Sequence, residues 1–296
     1  MNIISHRKIF LTISSMLVIA SIILVLTFGL KQGIDLTGGT EWVIQPEAGV
    51  TRGDIEATFA DTYPDLPVTV DEQEAGTFTI RLPDTSEELH RDYLTTLKIE
   101  RGEIIETSFI SIGPSIGREL RTQAIRAMIG VLLAISLYVA WAFRKVSEEI
   151  NTWKYGLTTL ITLFHDVALP TGFLALLGWW KGVEIDTNFI VALLVIMGFS
   201  VHDTIVVFDR IRENIMRYKG KKPLNEIINI SIRETLARSI NTSLTLIFVL
   251  ATLLIWGPTS IFYFILVILI GTIAGTYSSI CIASPILYIW GRKKKR

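Results

Sequence analysis

Six long apolar runs dominate the pattern of hydrophobic and polar positions, and a polar stretch separates the first run from the other five. At 1.5 Å per residue, a helix of about 20 apolar residues crosses the hydrocarbon core of a bilayer. The first run follows a basic segment, as in a signal peptide, but it is longer than such a peptide needs and no small-residue cleavage site follows it. We therefore predict six retained transmembrane helices. They cover residues 9–30, 124–143, 155–179, 188–208, 237–256 and 261–290.

The polar stretch has the short segments of an α+β domain. Two capping pairs, Thr51 with Asp54 and Thr85 with Glu88, indicate where helices begin. Together with the strand-like segments they give the order β-α-β-β-α-β, which is typical of a ferredoxin-like sandwich. His90 is alone on the second of these helices, and we expect it to be solvated. The strand-like segments are residues 41–45, 68–70, 77–82 and 104–112.

These patterns predict the domain organisation. The first transmembrane helix occupies residues 1–30, and the ferredoxin-like external domain occupies residues 31–121. Residues 122–296 hold transmembrane helices two to six, their loops and a basic C-terminal tail. The fold class is therefore an all-α membrane bundle of six helices with a small external α+β domain.

Composition agrees with this division and narrows the range of possible functions. Of the 296 residues, 50% are hydrophobic and 19% are charged, and the mean hydropathy is +0.48. The net charge is zero, which argues against a nucleic-acid partner. A single cysteine, Cys281, makes neither an intrachain disulfide nor a metal site. Because no phosphate-binding loop of the G-x-x-x-x-G-K type is present, we expect the chain itself not to hydrolyse ATP. We also expect no enzyme activity, no metal and no cofactor.

Basic residues concentrate on one side of the predicted helices. By the positive-inside rule, this places both termini in the cytoplasm and residues 31–121 in the periplasm. The tail at residues 292–296 either binds anionic lipid or serves only to anchor the topology. The other basic residues of this side are Arg7, Lys8, Arg144, Lys145, Lys154, Arg212, Arg217, Lys219, Lys221, Lys222 and Arg233.

The fourth apolar run contains an acid, Asp203, beside His202. A charged side chain near the middle of a bilayer costs roughly 2.5–3.5 kcal/mol on insertion scales. Folding does not require such a residue, so the pattern favours a functional site that faces the bundle interior. A structural polar contact between helices is the alternative.

Polar residues also follow helical spacing in the third and fifth runs. His165 and Asp166 lie about halfway along the third run, and Arg238 enters the fifth near the depth of Asp203. An Asp203–Arg238 pair is plausible, since a buried acid needs a partner. Such polar faces indicate an internal path, and protonation of an aspartate would remove its burial penalty. The face on the third run also holds Thr159 and Thr162, and that on the fifth holds Asn241, Thr242 and Thr245.

Asp166 and Asp203 could instead form the dyad of an intramembrane aspartyl protease. Such enzymes carry Tyr-Asp and Gly-x-Gly-Asp contexts. Here each aspartate follows a histidine, His165 or His202, and no glycine-flanked site is present. The sequence therefore disfavours a protease.

Five motifs resemble the SecD/SecF protein-export family of the RND superfamily, and they span nearly the whole chain. The short insert is similar to that of the smaller, SecF-type members, since SecD-type members carry a much larger external domain. The motifs are Gly33-Ile-Asp-Leu-Thr-Gly-Gly-Thr40, Gly113-Pro-Ser-Ile-Gly117, His165-Asp-Val167, Asp203-Thr-Ile-Val-Val-Phe-Asp-Arg-Ile-Arg-Glu-Asn214 and Arg238-Ser-Ile-Asn-Thr-Ser243.

The resemblance implies an RND-type half-bundle that pairs with a SecD-like subunit in the bacterial inner membrane. It implies an auxiliary subunit of the translocase that contains the SecYEG channel and SecA. This subunit would use the proton-motive force to promote export of unfolded preproteins. Asp203 matches the family's membrane acid and Arg238 its partner; Asp166 is a weaker match. His202 stands where the family usually has asparagine, and it adds a titratable group. An RND-type half that exports small molecules and a non-transporting scaffold for translocase assembly remain alternatives.

Overall fold

The computed structural model describes residues 2–73, 76–144, 151–218 and 220–291. The predicted basic tail at residues 292–296 lies outside the described residues. In chain order the elements are α1 (Arg7–Phe28), α2 (Ile34–Thr37), β1 (Gly39–Pro46), α3 (Arg52–Thr62), β2 (Thr69–Glu72), β3 (Phe78–Leu82), α4 (Glu87–Arg101), β4 (Ile104–Ile112), α5 (Pro114–Ala142), α6 (Thr152–Lys181), α7 (Thr187–Tyr218), α8 (Leu224–Trp256), a 3₁₀ turn (Thr259–Ile261), α9 (Phe262–Ser278), a π-helical turn (Ser279–Ala283) and α10 (Ser284–Gly291).

The six predicted transmembrane helices are confirmed as helices long and apolar enough to cross a membrane. They are α1, α5, α6, α7, α8 and the segment Thr259–Gly291. Several extend beyond their apolar runs because the flanking residues also favour helix. Pro114 opens α5, where its fixed φ suits the first turn and its missing N–H is not needed. By contact the chain forms two compact units, Met1–Lys31 with Arg126–Arg296, and Gln32–Ile125.

The last span, Thr259–Gly291, contains a π-helical turn at Ser279–Ala283. The length of this span predicts a tilt or a break near Gly271 and Gly275. The break is not found at these glycines, because the helix is regular there and widens at Ser279–Ala283. A Cβ on Gly271 would lie 2.3 Å from the Ile196 side chain, and one on Gly275 would lie 2.9 Å from Ser200 Cβ. The two glycines therefore let α9 approach α7 closely, as small residues do in membrane bundles.

The external unit confirms the β-α-β-β-α-β order. Its four strands form one antiparallel sheet in the order β2-β3-β1-β4, the arrangement of a ferredoxin-like fold. Alternate residues of β1, Trp42 and Ile44, are fully buried and pack with Ile55 and Phe59 of α3 and Leu97 of α4. This alternation is what a strand with one covered face requires.

Of the two predicted helix starts, one is confirmed. Thr51 and Asp54 form a complete capping box at α3. The start at Thr85 is wrong, because the N-cap of α4 is Ser86, whose hydroxyl accepts from Leu89 N–H. The Thr85 hydroxyl instead donates to the Pro83 carbonyl at 2.7 Å.

His90 is not solvated, contrary to expectation, and is only 6% exposed. Its Nε2 lies 2.5 Å from Glu106 Oε2, and its ring stacks on Phe109 at a centroid distance of 3.6 Å. The indole N–H of Trp42 donates to the same carboxylate at 2.8 Å. The spacing of His90 with Tyr93 and Leu97, which are also buried on α4, is the sequence signal that places it over the sheet.

The capping box makes α3 sensitive to acid. The hydroxyl and the backbone N–H of Thr51 hold the pKa of Asp54 below its ordinary value. A lowered folded-state pKa stabilises the fold above the unfolded value of roughly 3.9, and this stability is lost as pH falls below it. We expect Thr51→Ala to destabilise α3 by about 1 kcal/mol and to flatten this pH dependence.

Amide hydrogen exchange of α3 peptides in the full chain, measured at pH 6 and pH 3, tests this expectation. The matched control is Thr95→Ala, because the Thr95 hydroxyl only donates to the Arg91 carbonyl within α4. Equal α3 protection in both variants would show that the capping box contributes nothing.

Candidate functional site in the membrane bundle

Asp166 is a buried hub where three helices meet. Its carboxylate is fully buried in α6 and accepts hydrogen bonds from Ser200 of α7 and, at 2.7 Å, from Ser278 of α9. His165 Nδ1 lies 2.8 Å from its other oxygen. The predicted neighbours Thr159 and Thr162 are also buried, but their hydroxyls bond carbonyls of α6 itself. The hub therefore consists of one carboxylate held by hydroxyls from two other helices.

Asp203 is the second buried acid, 2% exposed on α7. The Ser243 hydroxyl of α8 donates to it at 3.4 Å, and Thr276 of α9 donates to Ser243 at 2.6 Å. Among the residues that the structure describes, no cation lies within ion-pair distance of Asp203. Each acid therefore joins α7 to neighbouring helices through hydroxyl groups, which can both donate and accept protons.

Arg238 lies apart from Asp203, and the predicted ion pair is not formed within the described chain. Buried Ser239 and Ser243 share the inner face of α8, whereas Arg238 is exposed on another face. His202 is likewise exposed, although it immediately precedes Asp203 in the chain. The exposed face of α8 also carries the other predicted polar residues, Asn241, Thr242 and Thr245. The structure therefore buries the acids of α6 and α7, whereas the predicted polar residues of α8 lie on its outer surface.

Sequence reasoning missed the hydroxyl groups that hold the acids. Ser200 precedes Asp203 by three positions, so that both share a helix face, and Ser243 ends a motif already singled out. Ser278 and Thr276 lie in a run whose other residues are mostly apolar. A serine in such a run often bonds only its own helix, so its spacing does not reveal a partner on another helix.

The described residues contain no group of three or more His, Cys, Asp or Glu side chains that could hold a metal ion. Cys281 is buried in the π-helical turn and has no disulfide partner. The chemistry that the buried groups around Asp166 and Asp203 offer is therefore that of carboxylates, hydroxyls and the imidazole of His165. These groups can hold, donate and accept protons.

Close approach of α9 to α7 positions this site, and one substitution tests it. We expect Gly271→Ala to destabilise the bundle by about 1–3 kcal/mol, because the added methyl group overlaps several atoms of Ile196. Thermal unfolding of the detergent-purified chain measures the loss. Gly198→Ala is the control, since its Cβ meets nothing within 4 Å while the gain in helix propensity is the same. Equal stability of the two variants would contradict the close packing.

Comparisons with known proteins agree on one family. A family model described as "Protein export membrane protein SecD/SecF, C-terminal" matches residues 93–293, and a model of the "SecD/SecF GG Motif" matches residues 23–50. The chain is 42% identical to the protein translocase subunit SecF of Thermobaculum terrenum, with 99% of this chain and 94% of the relative covered. It is 33% identical to the protein translocase subunit SecDF of Bacillus subtilis, of which it covers 38%.

A solved structure shows the same fold. The crystal structure of SecDF from Thermus thermophilus, a translocon-associated membrane protein, superposes with a TM-score of 0.81 at 31% identity. The superposition covers 98% of this chain and 38% of the longer one. The fold class, a six-helix RND-type membrane unit with a small antiparallel sheet, is thereby confirmed. The predicted roles of the individual site residues stay predictions.

Proposed function

The chain belongs to the SecD/SecF family of protein-export membrane proteins, and on that premise we propose that it pairs with a SecD-like subunit and uses the proton-motive force to promote preprotein export. The observation that carries the proposal is the pair of buried acids, Asp166 and Asp203. Each is held by hydroxyls in the interior of a membrane bundle. Among the described residues, no cation lies at ion-pair distance from Asp203, and Asp166 has only the imidazole of His165 beside it. A carboxylate so placed is costly unless protonation neutralises it. Protonation is therefore the event that we expect to couple to movement.

The partner is inferred from the polar outer surface of α8. Arg238 and its polar neighbours are exposed on a helix that would otherwise face lipid, at a cost of roughly 2.5–3.5 kcal/mol for the arginine alone on insertion scales. A second six-helix half covering this face would remove that cost. SecDF relatives, of which this chain covers 38% and 35%, have enough further sequence for such a half. We propose that a SecD-like subunit supplies it, and that its approach brings Arg238 into the coupling site with Asp203 and His202.

The remaining partners follow from the same proposal. SecYEG forms the channel, SecA hydrolyses ATP, and the external domain handles unfolded preprotein on the periplasmic side of the bacterial inner membrane. Both termini lie in the cytoplasm, and the surrounding lipid is the other contact. The energy source is the proton gradient alone, without a bound cofactor. One charge crossing 100 mV is worth about 2.3 kcal/mol, enough to shift an equilibrium between two states of similar energy.

Inverted membrane vesicles depleted of this chain test the proposal. We expect the completion of preprotein export to lose its dependence on an imposed proton gradient, and co-reconstitution of the chain with a SecD-like subunit to restore it. A scaffold would instead alter the amount of assembled translocase and leave the gradient dependence of the remaining complexes intact. An exporter of small molecules would leave export of preprotein unchanged under both conditions.

A further inference from the structure

His165 has a second ring nitrogen that the Asp166 hub does not use. The residue is 3% exposed, and its Nε2 finds no hydrogen-bond partner among the described residues. A buried imidazole nitrogen is costly to leave unpaired, so Nε2 requires a partner such as a water molecule or a role in the site. The two nitrogens of one imidazole can serve two different neighbours, which makes histidine suited to passing protons.

The ring of Tyr277 on α9 lies near the imidazole of His165. The rings of His165 and Tyr277 have their centroids 6.2 Å apart and are tilted by 32°. The Tyr277 hydroxyl accepts from the Ser14 hydroxyl at 3.1 Å and donates to the Phe10 carbonyl at 3.4 Å, both on α1. Ser14 is 4% exposed and lies only two turns from the start of α1. A string of groups that can exchange protons, His165, Tyr277 and Ser14, thus leads from the hub to within roughly 10 Å of the basic end of α1.

We propose that His165 relays protons between Asp166 and the Tyr277–Ser14 pair, so that this string is the route between the buried Asp166 carboxylate and the side of the membrane where α1 begins. The inference rests on the proposed function and adds the route. One water molecule between the two rings would complete the string, since a water needs only two or more polar partners.

Each transfer along the route conserves protons. The Asp166 carboxylic acid gives its proton to His165 Nδ1, and the imidazolium releases its Nε2 proton toward the Tyr277 oxygen. The observed arrangement has Ser14 donating to Tyr277, so both hydroxyls must first rotate. The Tyr277 hydroxyl proton then passes to the Ser14 oxygen, whose own proton leaves toward the end of α1. Asp166 is left as carboxylate, and His165 as the tautomer with a proton on Nδ1. Rotation of the hydroxyls and return of the imidazole tautomer reset the string.

The electrostatic surroundings of His165 are simple within the described residues. Asp166 is its neighbour on α6, and Tyr277 is the titratable group that contacts it from α9. The contacts from α7 and α1 to this string are the hydroxyls of Ser200 and Ser14 and the backbone carbonyl of Phe10. A proton on the imidazole is thus set against a single carboxylate.

Two substitutions separate a relay from a positioning role. His165→Asn keeps a nitrogen near the Nδ1 position, so that the hydrogen bond to Asp166 survives, but it removes Nε2. Tyr277→Phe keeps the ring and removes the hydroxyl. Tyr263→Phe on the same helix is the control, because no hydrogen bond to its hydroxyl is seen in the described structure. Gradient-driven export is measured in vesicles that contain each variant with its partner subunit, in H₂O and in D₂O.

We expect His165→Asn and Tyr277→Phe each to slow the gradient-driven step at least about tenfold at unchanged assembly, and to raise its solvent isotope effect. Tyr263→Phe should behave as wild type. Should His165→Asn fail to assemble, Tyr277→Phe decides alone. A Tyr277→Phe variant with the rate and isotope effect of its control would overturn the route. The proposed function would survive that result if the wild type depended on the gradient and Asp203→Asn abolished that dependence. It would fall if the wild type showed no gradient dependence, or if Asp203→Asn kept it in full.

Discussion

Asp203→Asn is expected to abolish the gradient-dependent part of preprotein export without disturbing assembly. Asparagine has the shape of a protonated aspartate and can still accept from the Ser243 hydroxyl. It cannot gain or lose a proton, so α7 would stay in its protonated-like state. A charge crossing 100 mV is worth about 2.3 kcal/mol, so loss of this bias corresponds to about 50-fold in an equilibrium between two conformations. The rate of export in inverted vesicles, with and without the gradient, measures the effect.

Asp209→Asn is the matched control on the same helix. Asp209 is exposed and pairs with Arg212 at 3.6 Å, so it resembles Asp203 in residue type and helix but not in burial. We expect this variant to keep its gradient dependence. If Asp203→Asn kept it too, Asp203 would be a structural polar contact, and the scaffold alternative would gain the stronger position.

Asp166→Ala is expected to have the largest effect on stability. The substitution removes the shared acceptor of Ser200 and Ser278 and the partner of His165. Ser278 can still donate to the Gly275 carbonyl, at 3.1 Å, but the Ser200 hydroxyl and His165 Nδ1 lose the partner described for them. Each buried polar group left unpaired costs about 1–3 kcal/mol, so we expect a total loss of about 3–5 kcal/mol. Thermal unfolding of the detergent-purified chain and its yield with the partner subunit measure this loss.

Asp166→Asn is the comparison that separates structure from protonation. Its side-chain oxygen can still accept from one or both serines, so we expect it to recover most of the stability. A stable Asp166→Asn variant with impaired gradient dependence would assign Asp166 to coupling. If Asp166→Ala were as stable as wild type, the hydrogen bonds of Asp166 would contribute nothing to the stability of the bundle, contrary to this prediction.

The spans could be predicted because membrane helices follow from one strong signal. Uninterrupted apolar runs satisfy both the length of the bilayer and the need to pair every backbone group internally. Helix ends could not be predicted as well, because α7 and α8 continue into polar residues. Those turns are stabilised by contacts between the helices, such as Asn214 donating to Ser231 at 3.0 Å and Arg210 donating to Glu234 at 2.7 Å.

The acids of the candidate site could be predicted because a carboxylate is conspicuous in an apolar run. Their partners could not, because spacing along one helix does not tell which neighbouring helix faces it. Arg238 illustrates the difficulty, since its depth suggested Asp203 but its azimuth on α8 directs it away from the interior. His90 shows the same limit in the external domain, where burial depends on the sheet beneath α4 and its partner Glu106 is far along the chain.

The movement of protons through the bundle is the central claim, and it can be measured directly. The chain and a SecD-like subunit are reconstituted with the translocase in proteoliposomes that contain a pH-sensitive dye, and a proton gradient is imposed during preprotein export. The account predicts a proton flux above that of liposomes without the pair, and a fall to that background with Asp203→Asn. Equal flux in the wild type and in Asp203→Asn would contradict it.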